Sequence, residues 1–290
     1  MKQNQIITFI ISLCFSMYLG SSLASGSSSS KSSSPATKTH NKPHWAYSGS
    51  EGPSRWGSLA REYSTCSSGR NQSPININGT TEDSLFKLQF HYQAVPMSIL
   101  NNGHTIQINY NNVNDSSENK VEIGGKSYLM ASAIQHNSNI SISGEQYKLL
   151  QIHFHSPSEH RVNGESFPLE AHFVHINAQN QLAVVGVIFK RGNSNSFLSQ
   201  LWNNMPTSAG PATTYNNIVV NGHKLLPTSK SYYHYRGSLT TPPCSEGVRW
   251  FVMRNYAEVS DSQVQKFNSV VGNNNRPIQA RNKRFLLRSN

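Results

Sequence analysis

The sequence predicts a mainly β fold. Many segments are rich in β-branched and aromatic residues, and clusters of Asn, Gly, Ser and Pro separate them from one another. Helix signals are few by comparison. Of the 290 residues, about 245 lie between residue 44 and the C-terminus, a length at which all-β proteins commonly form one domain. We therefore expect a single domain over residues 44–290.

Five segments fit strands best, because β-branched and aromatic side chains suit a pleated, half-buried surface. In chain order they are Ile106 to Tyr110, Tyr147 to His155, Ala171 to Asn177, Leu182 to Lys190 and Val248 to Arg254. Two helices are predicted, Ser196 to Asn203 and Ser260 to Val270. Either Ser260 or Asp261 is suited to cap the start of the second helix.

The N-terminal region has the layout of a secretory signal. Lys2 precedes an apolar stretch from Ile6 to Leu19, and small residues around Ala24 offer a cleavage site. The apolar stretch is shorter than the roughly 20 residues that span a bilayer. We predict a signal peptide over residues 1–24 and a Ser-rich, disordered linker over residues 25–43. The mature protein should then lack a transmembrane segment and be exported, to a periplasm or to the outside of the cell.

The cysteines agree with export. Removing the signal peptide removes Cys14 and leaves Cys66 and Cys244. This even pair would lie in a compartment where disulfides persist, so a disulfide is expected. Two free buried thiols are the alternative.

The chain is basic, with 25 Lys and Arg residues against 14 Asp and Glu residues and a formal charge of +11. Many of the basic residues lie in the linker and near the C-terminus, with no recognised nucleic-acid motif between them. We therefore expect no nucleic-acid partner. The charge fits a solvated surface, with a weak attraction to anionic envelope surfaces as the alternative. The oligomeric state is left open, with a dimer among the possibilities.

Three histidines have the pattern of an open metal site. His153 and His155 are two residues apart on a predicted strand and so point to the same face, and a neighbouring strand can supply His172. Three neutral imidazoles suit Zn²⁺ and leave one position for water, as in catalytic zinc sites. Gln151 and Glu170 each lie two residues before one of these histidines. They are expected to hydrogen-bond the ring nitrogens that face away from the metal.

The sequence resembles the α-class carbonic anhydrases from about His44 to the C-terminus. The segments that carry the resemblance, in the family's order, are Asn71 to Asn76, Leu100 to His104, Gln151 to His160, Glu170 to His175 and Gly237 to Pro243. The resemblance implies a large, mostly antiparallel, twisted central sheet with short peripheral helices and zinc at the bottom of a conical cavity. It also implies reversible hydration of CO₂ to bicarbonate and a proton, and a disulfide between Cys66 and Cys244.

The resemblance assigns roles to further residues. Zinc-bound hydroxide would attack CO₂, and the Thr240 hydroxyl, donating to Glu159, would orient that hydroxide. His104 would carry the released proton to solvent buffer, through waters ordered by Tyr47 and Asn102.

Substrate would bind beside the metal. The resemblance implies an apolar recess for CO₂, with threonines and an amide on its polar side. These residues are Val174, Val184, Leu239 and Trp250 in the recess, with Thr240, Thr241 and Gln107 on the polar side. Ordinary core packing would explain the apolar members equally well.

Two other functions remain open from the sequence. One is a catalytically silent relative that acts as a binding or adhesion module, although all three histidines are present. The other is a zinc-dependent esterase, since the same hydroxide can attack an activated ester. Ser156-Pro157 and Asn275 depart from residues common in animal members and affect the expected shape of the cavity rim.

Overall fold

A large β-sheet dominates the structure, a computed structural model that describes residues 43–110, 120–123, 126–129 and 137–290. Lys42–Asn290 form one compact unit. The predicted signal peptide and nearly all of the predicted linker lie outside the described residues. Within the described ranges, no helix has the length and apolar character needed to cross a membrane.

The described residues form seventeen strands and four α-helices. The strands are β1 (Asn76–Ile77), β2 (Thr81–Glu82), β3 (Gln89–His91), β4 (Val95–Asn101), β5 (Ile106–Asn109), β6 (Lys120–Ile123), β7 (Lys126–Leu129), β8 (Asn139–Ile142), β9 (Glu145–His155), β10 (Arg161–Val162), β11 (Leu169–Ile176), β12 (Leu182–Arg191), β13 (Thr213–Val220), β14 (Tyr232–Ser238), β15 (Glu246–Met253), β16 (Ala257–Val259) and β17 (Leu287–Arg288). The helices are α1 (Trp56–Leu59), α2 (Thr65–Ser68), α3 (Ser196–Trp202) and α4 (Asp261–Val271). Short 3-10 helices lie at Gly49–Glu51, Arg61–Tyr63 and Gly222–Leu225.

Thirteen of these strands form the main sheet. Its order is β13, β4, β5, β9, β11, β12, β15, β14, β17, β2, with β16 beside β12 and with β8 between β3 and β9. Most pairings are antiparallel, and the parallel ones join β12 to β15 and β16, and β17 to β2. The predicted mainly β fold with short peripheral helices is confirmed.

The sheet is buried on both faces around its centre. All eight residues of β11 are buried, and alternate residues enter different cores. Phe173 joins the larger core, which also contains residues of α3 and α4, whereas Val174 joins a smaller core with Trp250. Since successive side chains on a strand point to opposite faces, the period of two assigns each residue to one core.

The five predicted strands and two predicted helices are present, with ends shifted by a few residues. Ser260 is the residue that caps α4: its hydroxyl accepts from the Gln263 N–H, and the Gln263 side chain accepts from the Ser260 N–H. Asp261 begins the helix instead. The sequence patterns missed α1 and α2, because four residues are too few to show a helical period.

The predicted disulfide between Cys66 and Cys244 is present, and it joins residues 178 positions apart. It lies in a third, small core with Trp45, Trp56 and Tyr63. The disulfide therefore connects the N-terminal helical region to the loop that follows β14.

Candidate metal centre

β9 and β11 bring the three histidines together. His172 lies directly opposite His153 in the antiparallel register, and Glu170 lies opposite His155. Alternation along each strand places His153, His155 and His172 on one face. One ring nitrogen from each histidine lies within 4.8 Å of those of the other two.

The other ring nitrogen of each histidine is held by an oxygen acceptor. His153 Nδ1 lies 2.9 Å from Gln151 Oε1, and His172 Nε2 lies 2.9 Å from Glu170 Oε1. His155 Nδ1 lies 2.7 Å from the main-chain carbonyl of Asn274. Because each acceptor is an oxygen, the bonded ring nitrogen carries the proton and donates it. The opposite nitrogen of each neutral ring is therefore unprotonated, as metal binding requires, and it faces the centre of the cluster.

The pKa values of two histidines in the cluster are suited to metal binding. Burial lowers the pKa of His155 to about 4, against the opposing effect of the Asn274 carbonyl, and burial also lowers the pKa of His172. Both imidazoles are thus neutral near pH 7, as metal binding requires. His155 Nε2 is buried without a hydrogen-bond partner. A cation at the centre would supply the missing partner, so three imidazoles beside an open cavity fit Zn²⁺.

Glu170 is held by four N–H donors. Its Oε1 accepts from His172 and from His160 Nδ1, and its Oε2 accepts from the main-chain N–H groups of Glu159 and His160. Burial alone would raise the pKa of this carboxyl, but the two histidines outweigh burial and hold its pKa well below the usual range. Glu170 is therefore an ionised anchor for His172.

His160, Glu170 and His172 also form a group of potential metal ligands. However, the Glu170 oxygens already accept these four bonds, and His160 Nε2 lies 2.7 Å from the Tyr235 hydroxyl. This group supports the three-histidine cluster and does not offer a separate site. Gly186 leaves room for the Glu170 carboxylate, because a Cβ at this position would lie 3.0 Å from Glu170 Oε1.

Glu159 lies beside the histidines and is fully buried. Its Oε1 accepts from the main-chain N–H of Arg276, and its Oε2 lies 3.6 Å from His155 Nε2 and 3.8 Å from His172 Nδ1. Burial raises the pKa of this carboxyl to about 7, opposed by His172, by the Arg276 N–H and by the Thr240 hydroxyl. A dication held by the histidines would favour the carboxylate and lower this pKa.

An open cavity leads to the histidines. It is lined by all three of them and by every residue that the resemblance placed at the substrate. Those residues are Val174, Val184, Leu239, Thr240, Thr241 and Trp250, with Gln107 on the polar side. Val174 pairs with Val184, and Val184 with Trp250, across β11, β12 and β15. This row of cross-strand neighbours forms an apolar wall beside the polar cluster.

His104 lies in the wall of the same cavity, on the connection between β4 and β5. Its ring stacks on Trp45 with centroids 3.7 Å apart and an interplanar angle of 8°. Tyr47 also lines the cavity. Asn102 caps this turn, since its side-chain oxygen accepts from the main-chain N–H groups of His104 and Thr105.

Sequence reasoning missed several supporting residues. Arg276 is buried; its guanidinium donates to the carbonyls of Cys66 and Ser73 and to the Gln72 side chain, and it packs over Trp56. No local pattern marks such contacts. Gly186 within β12 could have indicated this region from the sequence, because glycine inside a strand often marks a place where another group lies close to the backbone.

The comparisons with known proteins agree with this geometry. A family model described as eukaryotic-type carbonic anhydrase matches residues 51–290. The chain is 39% identical to a carbonic anhydrase of Neisseria gonorrhoeae over 248 residues, covering 85% of this chain and 88% of that protein. It is 37% identical to dioscorin dioA3 of Dioscorea japonica over 244 residues, covering 81% of this chain and 82% of that protein. A solved structure of α-carbonic anhydrase from Thermovibrio ammonificans with the inhibitor sulfanilamide matches with a TM-score of 0.72 and 40% identity, covering 85% of this chain and 99% of that one.

Proposed function

The chain belongs to the eukaryotic-type carbonic anhydrase family, and we propose that it works through a zinc ion held by His153, His155 and His172. Its reaction is the reversible hydration of CO₂ to bicarbonate and a proton. Members of this family are zinc enzymes. The observation that carries the proposal is the convergence of three imidazoles on one point, each with its outer nitrogen already bonded to an oxygen.

Zinc supplies one element of the chemistry: when bound, it lowers the pKa of a coordinated water to near neutrality, as is established for carbonic anhydrases. The chain's own residues do the rest. Gln151, Glu170 and the Asn274 carbonyl fix the tautomers and the ring orientations of the ligands.

Thr240 orients the nucleophile. When its hydroxyl donates to the Glu159 carboxylate, the Thr240 oxygen can only accept a second hydrogen bond. An oxygen nucleophile beside it would therefore donate a hydrogen bond to Thr240 and would turn a lone pair towards the substrate. The Arg276 N–H at 2.8 Å holds the other carboxylate oxygen in place. CO₂ is apolar and would lie against Val174 and Trp250 in the cavity wall.

The test is stopped-flow CO₂ hydration by the purified, oxidised protein with its zinc content measured. We expect hydration that is lost when a chelator removes the metal and is restored by Zn²⁺. Folded, zinc-replete protein that fails to hydrate CO₂ would instead support the silent binding-module interpretation. Comparing CO₂ hydration with cleavage of an activated ester distinguishes the esterase interpretation, for which ester cleavage should be the faster reaction.

Replacing Thr240 separates orientation from packing. Thr240→Val keeps the shape but removes the hydroxyl, and we expect hydration to fall by about 100-fold because the nucleophile is misdirected. Thr240→Ser keeps the hydroxyl and should retain most of the activity. Equal rates for the two variants at equal zinc content would contradict the role of Thr240.

His104 is proposed to carry the proton from the site to buffer. His104→Ala should slow turnover by about 10-fold in weak buffer, because positioned acid–base groups contribute at least 100-fold in general and buffer replaces part of this transfer. Added imidazole should restore the rate. His223→Ala is the control, since His223 is exposed on a separate 3-10 helix. Unchanged turnover of His104→Ala in weak buffer would exclude this role.

Export is proposed as well, with residues 1–24 as a signal peptide and residues 25–43 as a linker before the enzyme domain. The disulfide between Cys66 and Cys244 supports this proposal, because disulfides persist mainly in oxidising compartments outside the cytosol. N-terminal sequencing of the mature protein should find its first residue near Ser25.

A further inference from the structure

A cluster of cations borders the edge of the sheet where β14, β17 and β2 pair. The last 29 residues of the chain contain no Asp or Glu. This cationic edge is defined here by five basic residues and one aromatic residue. Its members are Arg70, Arg236, Arg281, Lys283, Arg284 and Phe285.

Hydrogen bonds locate these residues beside one another. Arg281 Nε donates to the Arg284 carbonyl and Arg284 Nε to the Arg281 carbonyl, at 3.0 Å and 2.8 Å. Arg284 Nη1 donates to the carbonyl of Arg236 on β14. The Asn282 side chain donates to the carbonyl of Arg70. The cations are thus joined through main-chain carbonyls, which leaves their positive charges uncancelled by these bonds.

The nearby carboxylates offset only part of this charge. Glu246 accepts from the main-chain N–H of Asn71 and from the Gln72 side chain, at 2.6 Å and 3.0 Å. Glu82 accepts from Arg288 at 2.7 Å. Glu246 also attracts Arg284 and therefore offsets one of the five cations, whereas Glu82 is paired with Arg288, which is not one of the five. The cationic edge therefore keeps a net positive charge that is attractive to anions.

Phe285 directly follows Lys283 and Arg284 in the chain. Its side chain is 80% exposed, the highest value among the exposed large hydrophobic residues of the described ranges. Leu286, the next residue, is 1% exposed in the smaller core, and its carbonyl accepts from the main-chain N–H of Thr81 on β2. Successive side chains in such a strand-like pairing point in opposite directions, so Phe285 faces outward. The fold therefore does not use the Phe285 ring for its core.

We propose that the cationic edge docks on the surface of an anionic lipid bilayer, with Phe285 inserted among the head groups. Charge complementarity favours an anionic partner, since basic residues near an anionic bilayer are attracted to it. The exposed apolar side chains favour lipid over a soluble polyanion, because apolar area gains free energy when it enters the boundary between head groups and acyl chains. Ile278 in the same segment is 40% exposed, and an aliphatic side chain cannot stack on a nucleic-acid base. The proposal is independent of the reaction.

The experiment is co-sedimentation of the full chain with phosphatidylcholine vesicles, with and without phosphatidylglycerol. We expect binding to be stronger when phosphatidylglycerol is present and to weaken with salt. Phe285→Ser should lower the partition coefficient by about 10-fold. Lys283→Gln should lower it by about 5-fold, the value of one basic residue near such a surface.

Matched controls make the comparison specific. Val219 is 51% exposed on β13, at the opposite end of the sheet order from β17, so Val219→Ser removes an exposed apolar side chain from another region. Lys224→Gln removes an exposed charge from the 3-10 helix Gly222–Leu225. The unsubstituted protein and all variants carry the same N-terminal residues, so only differences between variants are interpreted.

Three results would overturn the proposal. The first is equal partitioning of Phe285→Ser and Val219→Ser. The second is binding that does not depend on phosphatidylglycerol. The third is loss of binding in Lys283→Gln without loss in Phe285→Ser, together with capture on heparin, which would assign the cationic edge to a soluble polyanion. CO₂ hydration should be unchanged in all four variants, which verifies that each one is folded.

Discussion

His172→Ala is expected to remove zinc and CO₂ hydration together. His172 is one of three converging ligands, and Glu170 holds its outer nitrogen at 2.9 Å. Loss of a group that hydrogen-bonds to a metal ligand lowers metal affinity by about 10- to 100-fold, so loss of the ligand itself should lower it by more than about 100-fold. Hydration should fall in proportion to the zinc lost, and micromolar Zn²⁺ should not restore it fully.

The measurement is zinc stoichiometry and stopped-flow hydration on the same preparation. Gln151→Ala is the graded comparison, because Gln151 contacts only the outer nitrogen of His153 among the bonds described above. This variant should bind zinc about 10- to 100-fold more weakly and recover activity when zinc is added. His172→Gln fills more of the volume than alanine and tests whether the loss results from unfolding. Full zinc and full activity in His172→Ala would refute the proposed ligand set.

Loss of the disulfide is expected to have the largest effect on stability. Cys66 and Cys244 are 178 residues apart, and constraint of so long a loop contributes about 3–5 kcal/mol to the free energy of unfolding. The Cys66→Ser/Cys244→Ser variant should therefore unfold at a lower urea concentration. The unsubstituted protein measured in reductant is the matched control, because loss of the same disulfide should lower its midpoint to that of the variant.

The disulfide should also affect the site. The Cys244 carbonyl accepts from Gln72, whose side-chain oxygen accepts from Arg276, and the main-chain N–H of Arg276 holds Glu159. Hydration by the double variant should fall at temperatures below its unfolding transition. An unchanged urea midpoint, measured with and without reductant, would contradict the stabilising role.

The conformation of Cys244 offers a second comparison. Its φ is 58°, in the left-handed region that favours glycine. Cys66→Ser/Cys244→Gly should therefore be more stable than Cys66→Ser/Cys244→Ser, by about 1 kcal/mol, because glycine adopts this φ without a steric cost. Equal urea midpoints would show that the loop changes conformation when the disulfide is absent.

The strands that carry the site could be predicted from the sequence because their signals are local. The two-residue spacing of His153 and His155 places both on one face, and the same rule places Glu170 with His172. Residue composition was sufficient for the five predicted strands, but the other twelve strands of the described residues were not predicted individually. The ends of elements were less well predicted, because pairing with β8 decides where β9 begins and pairing with β16 decides where β12 ends.

By itself, the sequence determined the fold class, the alternation of each strand and the types of residue that could bind a metal, because these depend on side chains a few positions apart. The tertiary structure alone decided which groups meet. Asn274 reaches His155 across 119 positions, Arg276 reaches Cys66 across 210, and Trp45 stacks on His104. Such contacts depend on the path of the whole chain, which no local pattern encodes. Polar groups that the fold buries must be hydrogen-bonded, so each of them pairs with a group that the fold places beside it.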